Sequence, residues 1–374
     1  MAPMDSGLLL HLCTPATWRM ALAAGSVAPP SLLSEGFVHL STPAQVQLPA
    51  NAQFPGRLDL LALVIDPVKL PAELRLEPAP DAADLHFPHH YGPVPADAVV
   101  VAVPYQPGPD GCFADPVDLP APRDVAARVR VFDRALALRR AAAVVPVDGG
   151  AAVLDPRFPA SYEHNTLWIE GRSDAATVAA EADRVLGSAA LSHRRAVLDD
   201  PTTATALASR GWNVQELRLM VYGAEGVADR STRVVAVTHE IVSRLWERSW
   251  RRELPHLDDD SVRQLVDRET VADAVLRVVD LAALDGCGEP IASTQLRVDG
   301  ATAAIEAVMT DPAHRQAGLA RVLVLDAIAR ARAAGCDVVF LAAAADDWPH
   351  QWYTRLGFTD VGTRFEVTRS PVLD

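Results

Sequence analysis

Lysine is nearly missing from this chain. Lys69 is the single example, and the rest of the 34 basic side chains are arginine. Schiff-base catalysis, which needs a lysine amine, is nearly excluded. Cysteine is scarce too. Cys13, Cys112, Cys287 and Cys336 are scattered without metal-binding or redox spacing, so reduced thiols and a cytoplasmic protein are expected. No apolar run approaches the roughly 18–20 residues of a membrane helix. Leu8-Leu9-Leu10 has no basic residue before it and reads as a first strand rather than a signal peptide. Positive charge is short everywhere, and the net charge is −14. A general nucleic-acid binder needs a basic face, so neither nucleic acid nor membrane is an expected partner. Any anionic ligand must be held by local geometry.

What is present is a globular composition. The 374 residues are 49% hydrophobic and 22% charged, which excludes disordered, collagen-like and coiled-coil chains. That length predicts two or three compact units. Repeated Pro and Gly from Pro104 to Pro122 cannot sustain a helix or central strand, so a linker is expected at 106–122. Before it lies a first domain, 1–105. After it, strand and helix signals alternate, as in an α+β or α/β architecture with mixed sheets. A helix is expected over 123–140 and another over 175–186, stopped by Gly187. Strands are expected at 166–170, 195–198, 216–222, 291–297, 302–309 and 338–341, with a long helix from Leu319 to about Ala334. Oligomeric state is left open.

The strongest chemical signal lies between 302 and 358. A strand, Ala304 to Thr310, leads through Asp311-Pro312 into His314-Arg-Gln-Ala-Gly-Leu-Ala320 and then an apolar helix. A helix start of this kind presents free backbone N–H groups and a positive dipole end, which suits a diphosphate. No Gly-Lys-Ser/Thr follows, so it is not a Walker loop, and the glycine spacing is not that of a dinucleotide fingerprint.

Arg315-x-x-Gly318-x-Ala320 resembles the pyrophosphate loop of the GNAT superfamily of N-acetyltransferases. Trp352-Tyr-Thr-Arg-Leu-Gly-Phe358 resembles that superfamily's last block. The resemblance implies an acyltransferase domain over 236–374 that uses acetyl-CoA or another acyl-CoA. It implies carrier contacts at Val308, Met309, Arg315, Gln316, Ala317, Gly318, Leu319, Ala320 and Arg321. Tyr353 would protonate the leaving thiolate, and Glu306 would accept the amine proton. The packing alternatives are a Tyr353 that stacks beside Phe358 and a Glu306 that is a solvated strand residue. His314 reads as a surface residue, and Trp348 and Trp352 as core or pocket wall. Residues 123–235 resemble the first half of tandem GNAT proteins but lack the Arg-x-x-Gly loop, which implies a non-catalytic lobe. Asn165 and His193 could line its cleft or be structural.

The first domain concentrates histidines: His11, His39, His86, His89 and His90. His11-Leu-Cys-Thr14, Ser34 to Thr42 and Phe87 to Pro93 resemble a bacterial family, domain of unknown function nine-five-two. That resemblance implies an ADP-ribosyltransferase-like fold over 1–105, with NAD or an ADP-ribose-like ligand at His11, Ser34, His39, Ser41 and Tyr91. The bland reading is a pair of buried histidines stitching strands to loops. A metal site from His86, His89 and His90 is a further option, though no metal is assigned. Three functions follow: acyl transfer to an amine of a small molecule, cleavage of an N-glycosidic bond by the first domain, or a non-catalytic sensor of CoA or nucleotide.

Overall fold

The computed structural model describes residues 7–79, 82–224 and 230–370. The chain opens with β1 (Leu9–Cys13) and α1 (Pro15–Ala24). Thr14 caps that helix, its Oγ1 accepting the Thr17 amide at 3.1 Å. Short elements follow: β2 (Ser26–Val27), α2 (Pro30–Ser34), β3 (Val38–His39) and α3 (Gln47–Gln53). Then come β4 (Leu61–Ile65), β5 (Leu74–Ala79), β6 (Ala82–His90), β7 (Val94–Pro95) and β8 (Val99–Pro104). The apolar run of β4 is buried along its whole length because β1 and β8 flank it on both edges. The histidine-bearing strands form a second antiparallel sheet in the order β3-β6-β5. The segment expected as a linker holds no helix or strand, yet it is not loose. Tyr105 and Phe113 are buried against the β1-β4-β8 sheet, and the Asn51 side chain brackets the Phe113 backbone.

The middle region is α4 (Val125–Arg140), β9 (Ala143–Val147), β10 (Gly150–Leu154), β11 (Thr166–Ile169), α5 (Ala175–Ser188), β12 (Arg194–Leu198), α6 (Pro201–Ala208) and β13 (Asn213–Tyr222). Gly187 does not stop α5, which runs one residue past it; the chain turns instead at Ala190, where φ is 55°. The last region is β14 (Val235–Val237), α7 (His239–Glu253), α8 (Asp259–Asp267), β15 (Arg277–Leu284), β16 (Pro290–Asp299), β17 (Thr302–Thr310), α9 (Leu319–Ala333), β18 (Val338–Ala344), α10 (Trp348–Leu356) and β19 (Phe358–Arg369).

Both regions share one mixed sheet of 11 strands, ordered β14-β15-β16-β17-β18-β13-β19-β12-β11-β10-β9. Its parallel pairs are β11 with β12 and β17 with β18. The boundary expected at 235/236 falls within β14, the edge strand of this sheet. Strand β13 crosses it to lie between β18 and β19. Helix α9 packs on one face of the sheet through Leu319, Leu323, Val324 and Ile328. Helices α4 and α7 cover the other face, through Phe132 and Trp246 respectively.

The first domain is fused to the sheet through one continuous core that joins Leu63, Trp18 and Val99 to Phe132, Ala304 and Phe340. Its polar seam lies at the β16–β17 turn. Asp299 accepts from Trp18 Nε1 at 2.6 Å and from Arg139 at 2.6 Å, and all three side chains are buried there. The Ala301 amide donates to the Val99 carbonyl at 2.7 Å.

Candidate active site

Strand β17 carries a bulge. Its register with β16 shifts between Gln295↔Glu306 and Ser293↔Met309, and Ala307 sits at φ 50°. The consequence appears on its other edge. β17 pairs with β18 at only Thr302, Ala303 and Ala304. Beyond Ala304 the strands part, while β18 continues to Ala344 on β13. At Val308 and Met309 the edge of β17 that faces β18 is therefore free of a strand partner among the described residues.

The loop after β17 leads to the start of α9. Arg315, Gln316, Ala317, Gly318 and Arg321 are exposed; Leu319 is buried and Ala320 half-buried. Gly318 is the N-cap at φ 73°, with no side-chain cap, and a Cβ built on it meets nothing within 4 Å. Glycine serves here for its left-handed backbone and leaves open space in front of the helix. Among the described residues no side chain caps the first-turn N–H groups of this 15-residue helix.

Tyr353 lies on α10, which starts at its Asp347 cap and Pro349. Its ring is buried, edge-on to Phe358 at 5.7 Å and tilted on Trp352 at 4.8 Å. Its hydroxyl has no hydrogen-bond partner among the described residues. Burial, with a smaller contribution from the Glu306 charge, raises its pKa, so the phenol keeps its proton at neutrality. Glu306 is half-buried on β17. Burial pushes its carboxyl up to about 7, against the partial offset of Arg297. No cation pairs with it among the described residues. Trp348 is 66% exposed, so it is not a core residue; Trp352 is half-buried. His314 is on the surface, 3.9 Å from Asp311.

Around Glu306 lies a charge network that no single stretch of sequence announces. Arg364 pairs with Asp133 at 2.6 Å and with Glu366 at 3.1 Å. Arg195 pairs with Glu366 at 2.6 Å. Arg297 and Arg268 share Glu269, and Arg140 pairs with Glu163. These residues come from α4, the middle lobe and the last region. Their meeting depends on the shared sheet, which is why sequence reasoning missed them.

The middle lobe uses Asn165 and His193 structurally. The Asn165 amide bonds the Asp155, Phe158 and Ser161 backbone, and His193 Nε2 bonds the Asn165 carbonyl while its ring stacks on Tyr162 at 3.8 Å. In the first domain, His11 Nδ1 is 3.0 Å from the His39 carbonyl, and Ser41 bridges to Leu10. His39 and His89 meet edge to face at 5.0 Å, and Phe37 links them to Tyr91. His89 Nδ1 and the Tyr91 hydroxyl both bind Glu77, at 2.6 and 2.8 Å. Ser34 stands apart from this contact set: its hydroxyl donates to Pro30 within its own helix. His86 is exposed while His90 is fully buried. No group of three or more metal-ligating side chains occurs among the described residues.

Residues 238–358 match the Acetyltransferase (GNAT) family, and residues 12–102 match a family described as Protein of unknown function (DUF952). The chain therefore carries a GNAT acetyltransferase domain toward its C-terminus and a domain of unknown function toward its N-terminus. No curated protein matches. Among solved structures, a functionally unknown conserved protein of Staphylococcus epidermidis is 15% identical, covering 61% of this chain and 94% of that one, with a TM-score of 0.48. A GCN5-related N-acetyltransferase from Kribbella flavida is 16% identical over 66% and 95%, at 0.45. A protein from Caulobacter crescentus is 29% identical over 29% and 93%, at 0.26. None of these matches supports an ADP-ribosyltransferase-like fold, or an NAD or ADP-ribose ligand, for the first domain. No helix among the described residues is long and apolar enough to cross a membrane.

Proposed function

We propose that the domain formed by β14 to β19 transfers an acyl group from an acyl-CoA, acetyl-CoA foremost, to an amine of a small molecule. One observation carries the reading. The uncapped, exposed start of α9 faces open space next to a strand that has lost its neighbour. Those two features fit the two halves of the carrier. Backbone N–H groups over 316–321 bind a diphosphate, and the free edge at Val308 and Met309 hydrogen-bonds the amides of a pantetheine arm. A bound acyl-CoA supplies an activated thioester.

This chain's own groups handle the protons. Glu306, pushed up to about 7, is ionised in a useful fraction near neutrality and accepts a proton from the substrate ammonium, directly or through water. The freed amine attacks the thioester carbonyl. Tyr353, whose burial keeps its proton in place, donates it to the departing thiolate. Arg315 and Arg321, both exposed at the helix start, add positive charge beside the diphosphate.

The test is calorimetry with acetyl-CoA on the full chain, followed by thiol release across an amine panel. Binding with amine-dependent release is expected. Absence of binding overturns the reading; binding without release for any amine returns the protein to a sensor.

A further inference from the structure

Three neighbouring antiparallel strands place a row of polar side chains on the face that bears Glu306. Asp280 on β15 is paired opposite Gln295 on β16, and Gln295 is paired opposite Glu306 on β17. Directly opposite residues have Cβ atoms about 5 Å apart, so the two carboxyl-bearing positions are about 10 Å apart. The row is held rigidly. Arg297 Nε donates to Gln295 Oε1 at 2.7 Å, and Gln295 Nε2 donates to Asp280 Oδ1 at 2.9 Å.

Asp280 is 9% exposed, and among the described residues no guanidinium or ammonium group pairs with it. The Arg297 charge is taken by Glu269 at 2.6 Å and reaches Asp280 only through a neutral amide. The nearest basic group to Asp280 Oδ2 is His239 Nδ1 at 4.0 Å, beyond hydrogen-bond reach. Both ring nitrogens of His239 are themselves buried without a partner. The other carboxyls of the network, Asp133, Glu163, Glu269 and Glu366, all hold guanidinium groups. Asp280 and Glu306 do not. A buried carboxylate without a cation is costly, and a cationic ligand removes that cost. Burial holds Asp280 above the usual carboxylate range, as expected of a group still awaiting its partner.

One amine cannot satisfy both groups, because the reacting nitrogen must surrender its proton to Glu306. We infer that the acyl acceptor carries two ammonium groups: one reacts beside Glu306, and Asp280 holds the other across Gln295. Asp280 is thus a specificity-determining residue. This rests on the acyl-transfer reading of the site around Glu306.

The test compares pentane-1,5-diamine with pentylamine, which has the same chain and one cation fewer. Full-length protein is assayed for thiol release with acetyl-CoA, and each amine is titrated calorimetrically into the protein saturated with CoA. The diamine is expected to exceed pentylamine in kcat/KM by about tenfold to a hundredfold, as one charge-assisted hydrogen bond provides. In Asp280→Asn that preference collapses, with the loss in KM rather than kcat. Equal use of the two amines by the unmodified protein overturns the inference and leaves acyl transfer standing. Should neither amine release thiol, the wider amine panel decides the transfer reading and the calorimetry decides this one: tighter diamine binding that Asp280→Asn abolishes supports the two-cation site, and equal binding overturns it. The unmodified-protein comparison stands even if the variant does not fold.

Discussion

Strands β16, β17 and β18 have two very different ends. At the end facing the first domain the buried charges are paired. Asp299 holds Trp18 and Arg139, Thr302 donates to the Val100 carbonyl at 2.9 Å, and Asp337 binds Arg128 and Lys69, both at 2.6 Å. At the other end β17 leaves β18, and among the described residues the α9 start lacks a side-chain cap and the Glu306 carboxyl and Tyr353 hydroxyl have no hydrogen-bond or ion-pair partner. The glycines state the contrast compactly. A Cβ on Gly300 would collide with the Val99 carbonyl, whereas a Cβ on Gly318 would meet nothing. One glycine is required because protein is present, the other because a left-handed turn must leave space. Stability resides at the satisfied end, and the proposed chemistry at the unsatisfied one.

The contrast can be broken from either side. The largest effect is expected from Asp299→Ala, which strands a buried guanidinium and an indole N–H. It should cost about 3–5 kcal/mol in denaturant unfolding while activity per folded molecule persists. Glu306→Gln at the open end should lower kcat by about a hundredfold or more with acetyl-CoA affinity unchanged by calorimetry. It should also remove the pH dependence. A base must be deprotonated to act, so kcat/KM of the unmodified protein should rise through about pH 7. Stability runs the opposite way. A carboxyl whose folded pKa is raised supports folding below its unfolded value near 4.5 and loses that support as pH rises through about 7. Glu306→Gln should therefore gain in melting temperature above pH 7 relative to the unmodified protein, and thermal scans at pH 5 and pH 8 check this. Tyr353→Phe should slow thiol release by about tenfold to a hundredfold at unchanged acetyl-CoA affinity. The smallest effect is expected from Lys69→Met, because Arg128 still holds Asp337; the loss should be under about 1 kcal/mol in the same unfolding assay.

Much of the open end was legible in advance because it is local. The strand, the glycine turn and the apolar helix over 302–333 follow one another directly, and the Tyr353 to Phe358 segment lies within one helix and the next strand. The proposed carrier loop draws only on residues 315–321. Helix α7 was missed although its buried Val242, Leu245, Trp246 and Ser249 recur at helical spacing; flanking arginines and glutamates masked the stripe. The Gly187 stop is displaced because Ala190 takes the left-handed turn, with the Leu191 amide reaching back to the Leu186 carbonyl at 3.0 Å. Asp280 was illegible for a deeper reason. Nothing in its own strand distinguishes it, and its lack of a cation exists only once β15 and β16 are in register. The same holds for Glu77, whose meeting with His89 and Tyr91 needs β5 beside β6.

The placement of β13 bears on how the protein is made. As synthesis proceeds from the N-terminus, β12 and β13 emerge long before β19, the strand that lies between them. Until the final strand leaves the ribosome, neither lobe can complete its share of the sheet, and open edges await a late-arriving segment. Excising residues 236–374 would remove the β13 ribbon between β18 and β19 and leave two sticky borders, so a soluble fragment should begin upstream of Asn213.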